Sequence, residues 1–133
     1  MTKKELISFI FIDFLVIAAI LFLFFYFEKK TAGLIGGALF LAQGFYFVVR
    51  IAKWEKMTST ATFYGVMAHL FLATVPVIIL RLSHFSTPFS EIQLGVITGP
   101  GVHKFAETIY LILLLSHIVD LLKLQFSKTK TTN

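Results

Sequence analysis

The 133-residue sequence contains no cysteine, only three prolines and few charged residues, which make up 14% of the chain. The absence of cysteine excludes disulfides, iron–sulfur clusters, thiolate metal sites and thiol nucleophiles. Soluble domains carry about 25% charged residues, so the low charge argues against a water-exposed surface. Apolar residues are abundant instead: 57% of the chain is hydrophobic and 16 residues are phenylalanine. This composition excludes both a soluble globular domain and a disordered segment.

Four apolar stretches are each long enough for a transmembrane helix, which needs about 20 residues. Short polar segments separate them, and they cover approximately Leu6–Phe27, Ala32–Ile51, Phe63–Leu82 and His103–Leu124. Because the sequence shows no internal repeat and no linker, we expect a single integral membrane domain over residues 1–133. The predicted fold is all-α, an up-and-down bundle of four transmembrane helices in a lipid bilayer.

Lysine and arginine are unevenly distributed between the two sides of the predicted bundle, and this bias predicts its orientation. Eight lie on the side of the termini and the 50–62 loop: Lys3, Lys4, Arg50, Lys53, Lys56, Lys123, Lys128 and Lys130. Four lie on the other side: Lys29, Lys30, Arg81 and Lys104. We therefore expect both termini in the cytoplasm and a location in a bacterial inner membrane. Anchoring beside anionic lipid accounts for the net charge of +5, so no nucleic-acid partner is expected.

The segment 83–102 is the longest connection between the predicted helices, and it lies on the outer side. Glycine and proline interrupt it, but it also contains apolar residues that do not suit a free loop: Phe85, Phe89, Ile92, Leu94, Val96 and Ile97. We predict that this segment lies on the outer interface or caps the bundle.

Polar side chains inside the predicted spans are costly, at about 2.5–3.5 kcal/mol each near the bilayer centre. Each helix contributes one at a similar depth, about 9–12 Å from the inner boundary at about 1.5 Å per residue. These residues, Asp13, Gln43, His69 and His117, form a predicted inner polar layer. Because Asp13 otherwise lies on an apolar face, we expect it to pair with His69 or His117.

A second group of polar residues forms a predicted outer layer. His84 closes the third span and His103 opens the fourth, and Arg81 and Glu107 each lie about one turn from them. In antiparallel helices these two histidines come level with each other, as do the two histidines of the inner layer. The spacings of 15 and 14 residues place the histidines of each helix on one face.

Paired imidazoles on facing helices are a ligand arrangement of b-type haem, which needs no cysteine. The spacing of these histidines resembles that of membrane di-haem b cytochromes, in which paired histidines on two helices stack two haems across the bilayer. The resemblance implies an inner haem b bound by His69 and His117 and an outer haem bound by His84 and His103. It also implies electron transfer to or from a quinone or a partner subunit.

Two other hypotheses fit the same residues. Asp13 with His69 and His117 would form a proton pathway, and His84, His103 and Glu107 would hold a metal ion whose identity stays open. Alternatively, the polar layer only fixes helix packing, in a non-catalytic accessory subunit of a larger membrane complex or in a homo-oligomer. No signature of a soluble enzyme is present, so we expect no activity of the chain on its own.

Three local features predict helix packing rather than chemistry. Asp120 lies about three residues from the inner end of its span, where we interpret it as an interfacial partner of Lys123. Pro76 predicts a kink in the third helix. The Gly33-x-x-x-Gly37 pattern predicts that the second helix approaches a neighbour closely.

Overall fold

A computed structural model describes residues 1–130, and the chain is mostly helical. Its four long helices are α1 (Lys3–Tyr26), α2 (Lys29–Ile51), α3 (Ala61–Ser83) and α4 (Gly99–Lys130). Each is long and apolar enough to cross a membrane. The four predicted helices are therefore confirmed, and each begins before the first residue of its predicted span.

Local capping explains where two of the helices begin. Thr2 forms a capping box with Glu5, in which each side chain accepts a hydrogen bond from the other residue's backbone N–H. The Thr60 hydroxyl accepts a hydrogen bond of 3.2 Å from the backbone N–H of Phe63 at the start of α3. Both threonines satisfy backbone donors that have no partner within the helix.

The four helices form a bundle in which α1 packs against α2 and α4, and α3 packs against the same two helices. Consecutive helices are antiparallel. The Arg50 guanidinium of α2 contacts the Glu5 carboxylate of α1 at 3.0 Å, whereas Gly36 of α2 packs against Ile20 of α1. We call the end of the bundle that contains Glu5 the Glu5 end.

The opposite end contains the 84–98 connection. It holds a 3-10 turn, Phe89–Glu91, and an antiparallel hairpin of β1 (Gln93–Leu94) and β2 (Ile97–Thr98), so we call it the hairpin end. Gly95 adopts a φ of +63° at the hairpin turn. The side chain of Ile92 is buried, which agrees with the expectation that this segment is not a free loop. The hairpin itself was not predicted, because two-residue strands are too short to give a periodic pattern.

Helices α2 and α3 approach each other through glycines, as the Gly33-x-x-x-Gly37 pattern predicts. A side chain at Gly33 would overlap the Arg81 guanidinium, and a Cβ at Gly37 would lie 3.1 Å from a side-chain carbon of Ile78. The missing side chains therefore let the two helices pack closely near the hairpin end.

Helix α3 contains a π-helical segment, His69–Thr74, between α-helical segments Ala61–Ala68 and Val75–Ser83. Pro76 follows directly and lacks the backbone N–H that the helix would use. The sequence predicted a kink at Pro76, and the structure has a π-helical turn directly before it. The π turn brings residues five apart side by side, so that His69 Nδ1 lies 3.3 Å from the Thr74 hydroxyl. Such segments occur frequently at functional sites.

Candidate functional site: a buried Asp–His network beside an apolar chamber

Three residues of the predicted inner polar layer meet in the bundle interior: Asp13 of α1, Gln43 of α2 and His117 of α4. Gln43 Nε2 donates a hydrogen bond of 2.7 Å to Asp13 Oδ1. On the other side of the carboxylate, His117 Nε2 lies 3.3 Å from Asp13 Oδ2. The Asp13 side chain is 1% exposed and that of His117 is 0% exposed. The structure therefore pairs Asp13 with one of its two expected partners, His117.

Tyr110 of α4 is a member of this network that sequence reasoning missed. Its hydroxyl donates a hydrogen bond of 2.7 Å to the backbone carbonyl of Asp13 and accepts one of 3.2 Å from Gln43 Nε2. The seven-residue spacing between Tyr110 and His117 places both on one face of α4, and this spacing is the signal that indicates the tyrosine.

The second ring nitrogen of His117 also faces a protein group. His117 Nδ1 lies 3.3 Å from the Thr62 hydroxyl of α3. If that hydroxyl donates to Nδ1, the neutral imidazole carries its proton on Nε2, the nitrogen that lies 3.3 Å from Asp13 Oδ2. Phe9 and Phe47 pack their rings against the imidazole, with centroids 5.4 and 5.2 Å away. We call Asp13, Gln43, Thr62, Tyr110 and His117 the polar network.

His69 lies beside the polar network. Its ring packs edge-on against Tyr110 and Phe40, with centroid distances of 5.0 and 5.1 Å. Binding of haem iron by His117 would require one of its nitrogens to leave Asp13 or Thr62. The haem hypothesis stays a prediction, which the absorption spectrum of the purified protein tests.

The polar network is not completely hydrogen bonded. Asp13 Oδ2, His117 Nε2 and Gln43 Oε1 are buried, and within the described chain none of them makes a hydrogen bond. Asp13 Oδ2 and His117 Nε2 are close enough for an ion pair but lack the alignment of a hydrogen bond. Most buried polar atoms in proteins are satisfied, so three exceptions in one cluster require an explanation.

A cavity of about 310 Å³ lies between the polar network and the hairpin end, and we call it the chamber. All four helices contribute to its mostly apolar wall, and Gly33, Gly36 and Gly37 of α2 leave room for it. Its polar residues lie at two levels: His69, Thr74 and Tyr110 toward the network, and Arg81, His103 and Glu107 toward the hairpin end. The chamber therefore extends from the polar network to the hairpin end of the bundle.

The predicted outer layer is only partly assembled. His103 Nε2 lies 3.0 Å from a carboxylate oxygen of Glu107, and both side chains are at least half exposed. His84 instead contacts its neighbour, with Nδ1 2.9 Å from the Ser83 hydroxyl. Across residues 1–130, no three histidine or acidic side chains are grouped so as to hold a metal ion. The hypothesis of a metal site formed by His84, His103 and Glu107 stays a prediction.

The side chain of Asp120 is only 1% exposed, so its carboxylate is buried within the bundle. Its two carboxylate oxygens accept hydrogen bonds from the backbone N–H groups of Ala61 and Thr62, at 3.1 and 2.7 Å. Lys123 Nζ lies 3.6 Å away, as expected. Asp120 of α4 thus caps the N-terminus of α3, and it fixes the backbone of the threonine that contacts His117.

Comparison of the chain with protein-family models, curated proteins and solved structures finds no match. The function is therefore argued from the site itself. The chemistry that Asp13 and His117 offer is proton exchange. The hydroxyl that contacts His117 belongs to Thr62, which is completely buried and inaccessible as a nucleophile.

Proposed function

We propose that this chain is an integral membrane protein that transfers protons through the Asp13–His117 pair, between the Glu5 end and the chamber. One observation carries the proposal: Asp13 Oδ2 and His117 Nε2 face each other at 3.3 Å, both buried and without another partner. A network that only held helices together would gain most from complete hydrogen bonding. Ionisable groups inside membrane spans commonly mark proton relays.

The contacts on both sides of the pair define the proposed route. When His117 Nε2 gives its proton to Asp13 Oδ2, Nδ1 takes the proton of the Thr62 hydroxyl, which lies 3.3 Å away. Water from the Glu5 end would return a proton to Thr62, and Asp13 would release its proton to water on the chamber side. On the other side, Tyr110 borders both the polar network and the chamber. The chamber then extends to Glu107, whose carboxylate is 67% exposed at the hairpin end. Although most of the chamber wall is apolar, polar groups at its two levels can hold water beside them.

A flux measurement tests this proposal. The purified chain is placed in liposomes that contain a pH-sensitive dye, and a potassium diffusion potential drives proton entry. We expect a flux above that of empty liposomes, and a decrease of at least about tenfold for Asp13→Asn and His117→Gln, because the shared proton site is lost.

Ser116→Ala is the matched control for the flux measurement. Ser116 adjoins His117 and is buried, but its hydroxyl donates to the Leu113 carbonyl and makes no hydrogen bond to the polar network. It should retain the wild-type flux. If Asp13→Asn keeps its helix content and conducts like the wild type, the proposal fails. The network then serves packing only, as expected for an accessory subunit of a membrane complex.

We further propose that both termini are cytoplasmic and that the protein resides in a bacterial inner membrane, because the basic residues concentrate at the Glu5 end. Since the sequence has no cysteine, single cysteines report topology directly. In spheroplasts, a membrane-impermeant maleimide should label Val96→Cys, at a side chain that is 99% exposed. It should label Thr58→Cys only after permeabilisation, and the reverse pattern would contradict this orientation. The cysteine-free parent is the control.

A further inference from the structure

A second space adjoins the chamber at the hairpin end. It is an open cavity of about 570 Å³, which we call the vestibule, and its wall includes Lys29, Lys30, Arg81, Phe85 and Phe89. The chamber and the vestibule share three lining residues: Phe24, Arg81 and His103. The two spaces therefore meet at Arg81, with the apolar chamber on one side and the basic vestibule on the other.

Positive charge dominates the vestibule. Three basic side chains, Lys29, Lys30 and Arg81, line it together with one carboxylate, that of Glu28. The Lys30 ammonium lies 3.6 Å from the centre of the Phe85 ring, so the cationic wall is built partly on aromatic rings. A vestibule of this charge attracts anions.

Arg81 has no anionic partner in residues 1–130: no carboxylate there lies within 4.0 Å of its guanidinium. Its Nε is buried and lacks a hydrogen bond, and the guanidinium packs on the Phe89 ring at 4.0 Å. The nearby Glu107 carboxylate is held by His103 at 3.0 Å. A guanidinium placed in this way is a ready partner for a carboxylate or a phosphate, since its donors match two acceptor oxygens.

We propose that the chamber and the vestibule together bind an amphipathic anion. Its carboxylate or phosphate head would meet Arg81, with Lys29 and Lys30 nearby, and its hydrocarbon chain would occupy the chamber. The chamber suits such a chain because its wall is mostly apolar and its volume is at the lower end of ligand pockets. The Asp13–His117 pair contributes nothing to the lining of this site, but the chamber also belongs to the proposed proton route, which a bound chain would block.

Binding of four probes to the purified full chain in a non-ionic detergent tests the proposal. Dodecyl phosphate and laurate carry both a chain and an anionic head, 1-dodecanol carries the chain alone, and inorganic phosphate carries the head alone. We expect the two amphipathic anions to bind with a Kd at least about tenfold lower than that of either single-feature probe. Equal binding of 1-dodecanol and dodecyl phosphate, or tight binding of inorganic phosphate alone, overturns the proposal.

Two variants locate the bound probe. Arg81→Gln should weaken dodecyl phosphate by about tenfold or more and leave 1-dodecanol unchanged, because only the charged contact is lost. Ala106→Leu, in the chamber wall, should weaken every probe that has a chain. Lys53→Gln at the Glu5 end is the charge-matched control and should bind like the wild type. If Arg81→Gln and Ala106→Leu both retain their helix content and bind every probe like the wild type, the proposed binding site is wrong. Asp13→Asn should bind dodecyl phosphate like the wild type, although it should lose proton flux. Failure of the binding proposal can therefore be distinguished from failure of the proton-transfer proposal.

Discussion

Replacing His117 by leucine is expected to destabilise the bundle by about 3 kcal/mol, because Asp13 is left buried opposite an apolar side chain. Gln43 would still contact Asp13 Oδ1, but Oδ2 would face no polar group at the position that His117 Nε2 now occupies. Loss of one ordinary interhelical hydrogen bond would cost only about 0.6–2 kcal/mol. The size of the loss, measured by unfolding the detergent-solubilised protein, therefore distinguishes a coupled pair from simple packing.

A double variant separates the pair from its surroundings. Asp13→Leu combined with His117→Leu removes both groups, and it should be more stable than His117→Leu alone because no polar group is left unpaired. Ser116→Ala, at the neighbouring buried position, should change stability by less than about 1 kcal/mol. If the loss of stability in the double variant equals the sum of the losses in the two single variants, Asp13 and His117 are not coupled.

Replacing Asp120 by alanine is the second large effect, at about 3 kcal/mol. The substitution removes two charge-assisted hydrogen bonds to the backbone of Ala61 and Thr62, each worth about 1.5–3 kcal/mol. The N–H of Thr62 is buried with its residue and would remain without an acceptor. Because Thr62 also contacts His117, we expect the proton flux of this variant to fall with its stability.

Lys123→Met is the control for Asp120. The Lys123 side chain is 61% exposed and its ammonium lies 3.6 Å from Asp120, and a pair of this kind contributes about 0–1 kcal/mol. Lys123→Met should therefore unfold close to the wild type. If it is as unstable as Asp120→Ala, the ion pair rather than the cap of α3 stabilises this end of the bundle.

Features that follow from local sequence were predicted well. The four helices follow from runs of apolar residues, and the common depth of Asp13 and His117 follows from the fixed rise per residue of a helix. The close approach at Gly33 follows from residue size alone. None of these inferences needs the direction of a side chain from another helix.

Features that depend on direction were not predicted. The π turn in α3 shifts the helical phase after it by about 100°, the angle of one residue, and the run of apolar residues does not indicate that shift. The contact of Asp120 with α3 was not predicted, because the distance of Asp120 from the end of α4 says nothing about the start of α3 that packs there. The hydroxyl of Tyr110 joins the network only because α1 brings the Asp13 carbonyl to it.

The sequence by itself determined an apolar four-helix chain with one polar side chain per helix at a common depth, because hydropathy and helical rise are local properties. Only the tertiary structure decided that Asp13 faces His117 and that Asp120 caps α3. It also decided that α2 glycines border a chamber ending at Arg81. The physical reason is that these contacts and cavities lie between helices. They depend on how the helices are rotated about their axes relative to one another, and the sequence of a single helix does not determine that rotation.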